Sequence, residues 1–89
     1  MTKFVDAQQM HTENPDTFGV PAQIHLDMIE SGAFVKISEN AERFWVQVTE
    51  VDGDKITGRV DNDLVMQHSF KCDDIISFER KNVMGILGD

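Results

Sequence analysis

At 89 residues, 40% of them hydrophobic, the chain has room for one core and one domain, and enough apolar content to fold without staples. Its one cysteine, Cys72, leaves no intrachain disulfide to form and fits a reducing compartment. A net charge of −8, from 16 acidic and 8 basic residues, repels a nucleic acid on average, because such binding rests on Lys and Arg against phosphates.

No apolar run is long enough to span a bilayer, and Met1–Asp6 carries no apolar signal segment. The expected setting is the cytoplasm, with no membrane association. Residues 1–17 are polar and without period, and Thr12 to Thr17 is dense in turn formers. This stretch is expected to be a flexible N-terminal arm, with residues 18–89 forming a single small β domain.

Pro21 suits the first position of a helix, where its missing N–H costs nothing. A short helix is expected to follow, with Ile24, Met28 and Ile29 on its buried face and Gly32 as its stop. Beyond Gly32 the period changes to two. Ala33 to Ser38 forms a first strand, and Ser38 to Glu42 a polar turn. Arg43 to Glu50 is the strongest strand, with Phe44, Val46 and Val48 inward and Arg43, Trp45, Gln47 and Thr49 outward.

The hairpin that follows has two candidate loops. A two-residue Asp52-Gly53 loop sets Val48 against Thr57 and Val46 against Arg59, which buries the wrong side chains. A three-residue loop, Val51-Asp52-Gly53, faces Phe44 with Val60, Val46 with Gly58 and Val48 with Ile56. It also makes Trp45 and Arg59 neighbours, with Gln47 beside Thr57. The second register is expected. Leu64 to Phe70 alternates again, Ile75 to Phe78 is a last full strand, and Val83 to Leu87 closes the chain. The fold class is mostly β (α+β): a five-stranded SH3-like barrel or bent antiparallel sheet with one short N-terminal helix. Phe44, Val46, Val48, Ile56, Val60 and Ile76 are the expected core.

Glu42-Arg43-Phe44-Trp45-Val46-Gln47-Val48, Gly58-Arg59-Val60-Asp61-Asn62 and Asp73-Asp74-Ile75-Ile76-Ser77-Phe78 resemble the YegJ-like family of small bacterial proteins. The resemblance covers residues 33 to 87 and departs at Cys72, where the family has glycine. It implies a fold and no particular reaction.

Catalysis has little to stand on. His68, Cys72 and Asp73 are close in sequence, but nothing marks an oxyanion hole. His11, His25 and His68 are scattered, and Cys72 has no zinc-ligand spacing. Asp61-Asn62-Asp63 opens like a calcium loop but lacks its glycine and terminal glutamate. No glycine-rich phosphate loop is present. No metal and no cofactor is expected.

Trp45 is the residue to single out, as an aromatic on the face opposite the apolar row. The expectation is a non-enzymatic interaction module with a protein partner. Its contact residues are Trp45, Arg59, Gln47, Thr57, Asp61 and Asp63. The alternative is a phage- or mobile-element-type inhibitor whose acidic surface mimics nucleic acid. Charge decides between them: Glu50, Asp52, Asp54, Asp61 and Asp63 must run as one stripe for mimicry, uninterrupted by Lys36, Lys55 or Arg59.

Overall fold

A computed structural model describes residues 4–88. Five antiparallel strands form one bent, open sheet: β1 (Phe34–Glu39), β2 (Glu42–Asp52), β3 (Lys55–Val60), β4 (Ile75–Glu79) and β5 (Gly85–Ile86). Their order across the sheet is β4-β3-β2-β1-β5, so the sheet is not closed into a barrel. Two short helices precede it, α1 (Ala7–Glu13) and α2 (Gln23–Asp27), and a 3₁₀ turn at Arg80–Asn82 links β4 to β5.

The alternation in β2 places its apolar row as expected. Phe44, Val46 and Val48 are buried with Val35, Ile37, Ile56, Val60, Phe78 and Val83. Ile76 packs on this cluster half-buried. Residues of one parity thus fill one face of the sheet. That face is covered by α2, by Phe4 and by Leu64 and Phe70 of the long β3–β4 connection.

Several expectations are corrected. α2 has five residues, and its buried side is Leu26, joined just beyond its end by Ile29, whereas Ile24 and Met28 are 65% and 68% exposed. A helix this short carries two apolar pairs at helical spacing, Ile24–Met28 at i,i+4 and Leu26–Ile29 at i,i+3, and only packing chooses between them. Gly32, at φ +97°, lies in the turn into β1 and donates its N–H to the Val48 carbonyl at 2.7 Å.

The described part of the expected arm, residues 4–17, contains α1. Asp6 caps α1 by accepting the Gln9 N–H at 3.0 Å, and Ala7 is fully buried. The ring of Phe4 lies 5.9 Å from Phe70 and 6.2 Å from Phe78. The buried Asn82 amide donates to the Val5 carbonyl at 3.0 Å and accepts the Glu79 N–H at 2.8 Å. An Asp three residues before a Gln is an N-terminal helix signal that the polar composition obscured.

The β2–β3 register also differs. Asp52 pairs with Lys55, so the loop has two residues, Gly53-Asp54, one position later than the rejected candidate. Gly53, at φ +60°, supplies the positive first position that a type II′ turn needs. A β-bulge at Thr49 then shifts the ladder by one, so that Val48 faces Gly58, Gln47 faces Arg59 and Val46 faces Val60. The bulge restores the parity that a two-residue loop alone would have reversed.

Leu64 to Phe70 is not a strand. Side chains bond part of its backbone instead. The Val65 and Met66 N–H groups each donate to the Glu42 carboxylate at 2.9 Å, and the Asn40 amide donates to the Gln67 carbonyl at 2.8 Å. At its start, Asn62 extends the ladder by accepting the Trp45 N–H at 2.5 Å, next to Asp61 N–H on the Trp45 carbonyl at 2.9 Å.

Candidate functional site

The outer face of the sheet carries the candidate contact residues. Trp45 is half-buried there, and its cation partner is Lys36, not Arg59: the Lys36 Nζ stands 5.1 Å from the ring centroid. Lys36 is the residue directly opposite Trp45 across the β1–β2 ladder, the position from which cross-strand side chains meet. Because the observed register is displaced from the expected one, Arg59 faces Gln47 and donates to its Oε1 at 2.9 Å.

Arg59 also donates to Asp73 at 2.9 Å and lies 3.9 Å from Asp61. Thr57 shares a hydroxyl contact of 3.3 Å with Ser77 of β4, and its carbonyl accepts from the Thr49 hydroxyl. Trp45, Gln47, Thr57, Arg59 and Asp61 therefore belong to one connected outer surface. Asp63 follows two residues after Asp61 on the β3–β4 connection. It lines a cleft of about 470 Å³ on the β3–β4 connection, with Leu64, Met66, Lys71 and Cys72 among its walls.

His68, Cys72 and Asp73 do not assemble. The His68 ring is fully buried, with Nδ1 2.7 Å from a Glu39 oxygen and Nε2 2.8 Å from a Glu42 oxygen. Each nitrogen faces a carboxylate, and carboxylates only accept, so it is the protonated ring that satisfies both contacts as a donor. Burial pulls its pKa down, but the hydrogen bonds to Glu39 and Glu42 outweigh burial and hold it above the usual histidine value. Both ring nitrogens are engaged by Glu39 and Glu42 rather than by Cys72. The Cys72 thiol lies 3.9 Å from the Val60 carbonyl, and burial, then the carboxylates of Asp73, Asp63 and Asp61, push its pKa up. Asp73 is spent on Arg59.

Sequence reasoning missed this Glu39–His68–Glu42 clasp. The β1–β2 turn is the two-residue Asn40-Ala41, both at positive φ, so Glu39 and Glu42 stand opposite each other on the core side. Two like charges so placed repel, and His68 lies between them. Phe44 and Phe70 pack on the imidazole at 5.8 Å and 5.1 Å. The Val65 and His68 hydrogen bonds, with that of Met66, hold the Glu42 carboxyl below its ordinary range. Beside the clasp opens a polar cleft of about 530 Å³, lined by Glu39, Asn40, Gln67, His68 and Ser69. Chemically the arrangement is a fastener: it ties the long connection to the end of the first hairpin.

No family model, curated protein or solved structure matches this chain.

Proposed function

We propose that this chain is a non-enzymatic protein-interaction module that presents the outer face of β1–β3, centred on Trp45, to a protein partner. The observation that carries the reading is the arrangement around Trp45. A half-buried indole sits under Lys36, next to the Gln47–Arg59 pair. Trp and Arg are the types enriched among the residues that carry binding at protein interfaces.

The charge pattern supports the same reading over nucleic-acid mimicry. Arg59 lies against Asp61 and Asp73, and Lys55 stands opposite Asp52 across the hairpin. These two cations interrupt the acidic positions 50, 52, 54, 61 and 63. A kinship with YegJ-like chains rests on the motifs at 42–48, 58–62 and 73–78 and belongs to the same proposal.

The test uses wild-type and Trp45→Ala protein as baits in the same capture experiment. A protein retained by wild type and lost with Trp45→Ala, at unchanged circular dichroism, is the expected result. Identical retention by both baits would remove Trp45 from the interface and the reading with it.

A further inference from the structure

The pairing of β1 with β2 divides their side chains between the two faces of the sheet. Val35, Ile37, Phe44 and Val46 go to the core. Outward go Phe34, Lys36 and Ser38 of β1, opposite Gln47, Trp45 and Arg43 of β2. These outward positions hold two cations and no acid, in a chain with 16 acidic residues to 8 basic ones. The nearby acids of the outer surface stand elsewhere. Glu50 and Asp52 lie farther along β2, opposite Thr57 and Lys55, and Asp61 and Asp73 lie against Arg59.

The partners of the two cations matter more than their number. Arg59, Arg80 and Lys81 each lie within ion-pair distance of a carboxylate. Among the described residues, Lys36 and Arg43 have no such carboxylate. Each rests on an aromatic ring instead. The Lys36 Nζ is 5.1 Å from the Trp45 centroid, and the Arg43 Cζ is 5.8 Å from that of Phe18. A ring attracts a cation through its quadrupole and offers no lone pair to its N–H groups. The ammonium and the guanidinium therefore keep donors for an incoming acceptor.

Trp45 adjoins both cations. It faces Lys36 across the ladder and stands two residues along β2 from Arg43, and Arg43 in turn faces Ser38. Lys36 and Arg43 are thus diagonal neighbours on one face, about 7–8 Å apart at the backbone, and one short segment reaches both. The charges around them set a limit on its length. Duplex DNA carries about one negative charge per 1.7 Å of its axis. Continued past these two cations, it meets the carboxylates of Glu50 and Asp52 along β2 and of Asp61 and Asp73 beyond β3. A compact acidic group meets only the cations.

Building on the reading of this face as a protein contact, we propose that its occupant is an acidic peptide segment of the partner. Its Asp or Glu carboxylates accept from Lys36 and Arg43, and its apolar part lies against Trp45. The net charge of −8 opposes the approach of any acidic segment at long range. Physiological salt screens that repulsion beyond about 8 Å, which leaves the local cations to decide.

The probe is a random-sequence peptide library displayed on phage and selected on the wild-type chain at physiological salt. Enriched peptides are titrated onto wild type, Trp45→Ala and the double variant Lys36→Gln with Arg43→Gln, each shown folded by circular dichroism and its urea midpoint. The expected peptides carry Asp or Glu and lose binding with Trp45→Ala. They bind the double variant about tenfold or more weaker, the order expected when a charge loses its partner at an interface. Exchanging their Asp and Glu for Asn and Gln should weaken binding to wild type as much. If the double variant fails to fold, the two single variants replace it. Peptides that depend on Trp45 but carry no acid, or that bind the double variant as tightly as wild type, would overturn the acidic partner and leave the face standing as a contact. Finding no Trp45-dependent peptide would remove the face itself and the acidic partner with it. Binding of a DNA oligonucleotide as tight as that of the peptides, and dependent on Lys36 and Arg43, would assign the cations to nucleic acid and overturn the proposal.

Discussion

Glu39 and Glu42 stand directly opposite each other across a two-residue turn, both on the buried side of the sheet, with His68 bonded to each. The first prediction is a pH dependence. His68 has its folded pKa raised above its ordinary 6.5. Its contribution is fully present below 6.5 and is lost as the pH rises through the folded value. Glu42 has its pKa lowered below 4.5, so its contribution is present above 4.5 and is lost as the pH falls through the folded value. Both are complete between those limits. Urea unfolding across the range should show wild type losing stability on the alkaline side. His68→Gln should lack that loss and be less stable in mild acid by about 3 kcal/mol, the order expected when one partner of a buried ionic group is removed. An unchanged alkaline limb in His68→Gln would assign the loss to another group.

The second prediction concerns the turn that sets this geometry. Asn40 and Ala41 have φ of 51° and 63°, the type I′ pattern that favours Asn followed by Gly. Alanine at the second position carries the steric cost of the left-handed region, about 1 kcal/mol. Ala41→Gly should raise the urea midpoint at unchanged slope, by an amount near that cost. A lower midpoint would show that the gain in unfolded-chain entropy wins.

Gly58 is the third. It lies opposite Val48 beside the bulge, and a Cβ there would meet the Val46 Cγ1 at 2.5 Å and the Gln47 carbonyl oxygen at 2.7 Å. The second of these is backbone and cannot swing aside. Gly58→Ala should cost about 2–3 kcal/mol by overpacking, measured by thermal or urea unfolding. Wild-type stability would mean that β2 and β3 lie farther apart than described.

The fourth concerns Trp45. Half-buried under Lys36, it should emit at an intermediate wavelength and be partly quenched by acrylamide. Trp45→Ala should destabilise by about 1–2 kcal/mol, less than the 3–5 kcal/mol of a fully buried aromatic. Lys36→Met should change the emission with little change in stability, since such exposed cation–π pairs contribute about 0.5–1 kcal/mol. Quencher-resistant emission with severe loss of stability would make Trp45 a core residue.

The fifth prediction is for Asn82, 1% exposed and bonded at both ends of its amide. Asn82→Ala strands the Glu79 N–H and the Val5 carbonyl. The expected loss is about 2–3 kcal/mol, the penalty of unpaired buried groups. Amide exchange should accelerate first in α1 and at Val5. Uniform acceleration would show that the N-terminal segment does not open separately.

What the sequence disclosed follows from how local each signal is. The inward row Phe44-Val46-Val48 was legible because an eleven-residue strand repeats its alternation often enough to be unambiguous. The face of α2 was not, since Ile24–Met28 at i,i+4 and Leu26–Ile29 at i,i+3 both fit a helix. The alternation of Leu64, Met66, His68 and Phe70 reads as a strand, yet what decides that segment is a carboxylate twenty-three residues away. The outer-face grouping of Trp45, Gln47, Thr57 and Arg59 was right in parity, and its pairs were displaced because a bulge leaves no local mark. The ionic clasp did have a signal. Placing the turn at Asn40-Ala41 puts two acids on the core side, which demands a cation, and His68 is the one titratable residue in the alternating segment Leu64 to Phe70.

The bond from Asn82 to Val5 also sets an order of events. It joins residues 77 apart, and a ribosome makes them roughly four to fifteen seconds apart at about 5–20 residues per second. Until Asn82 and Val83 emerge, α1 lacks the Arg80–Asn82 turn it packs on, and the row Phe44-Val46-Val48 lacks part of its cover. The growing chain therefore spends that interval with apolar surface open to water, and holdase chaperones that grip such surface have their window before the last residues of the core are made, not after.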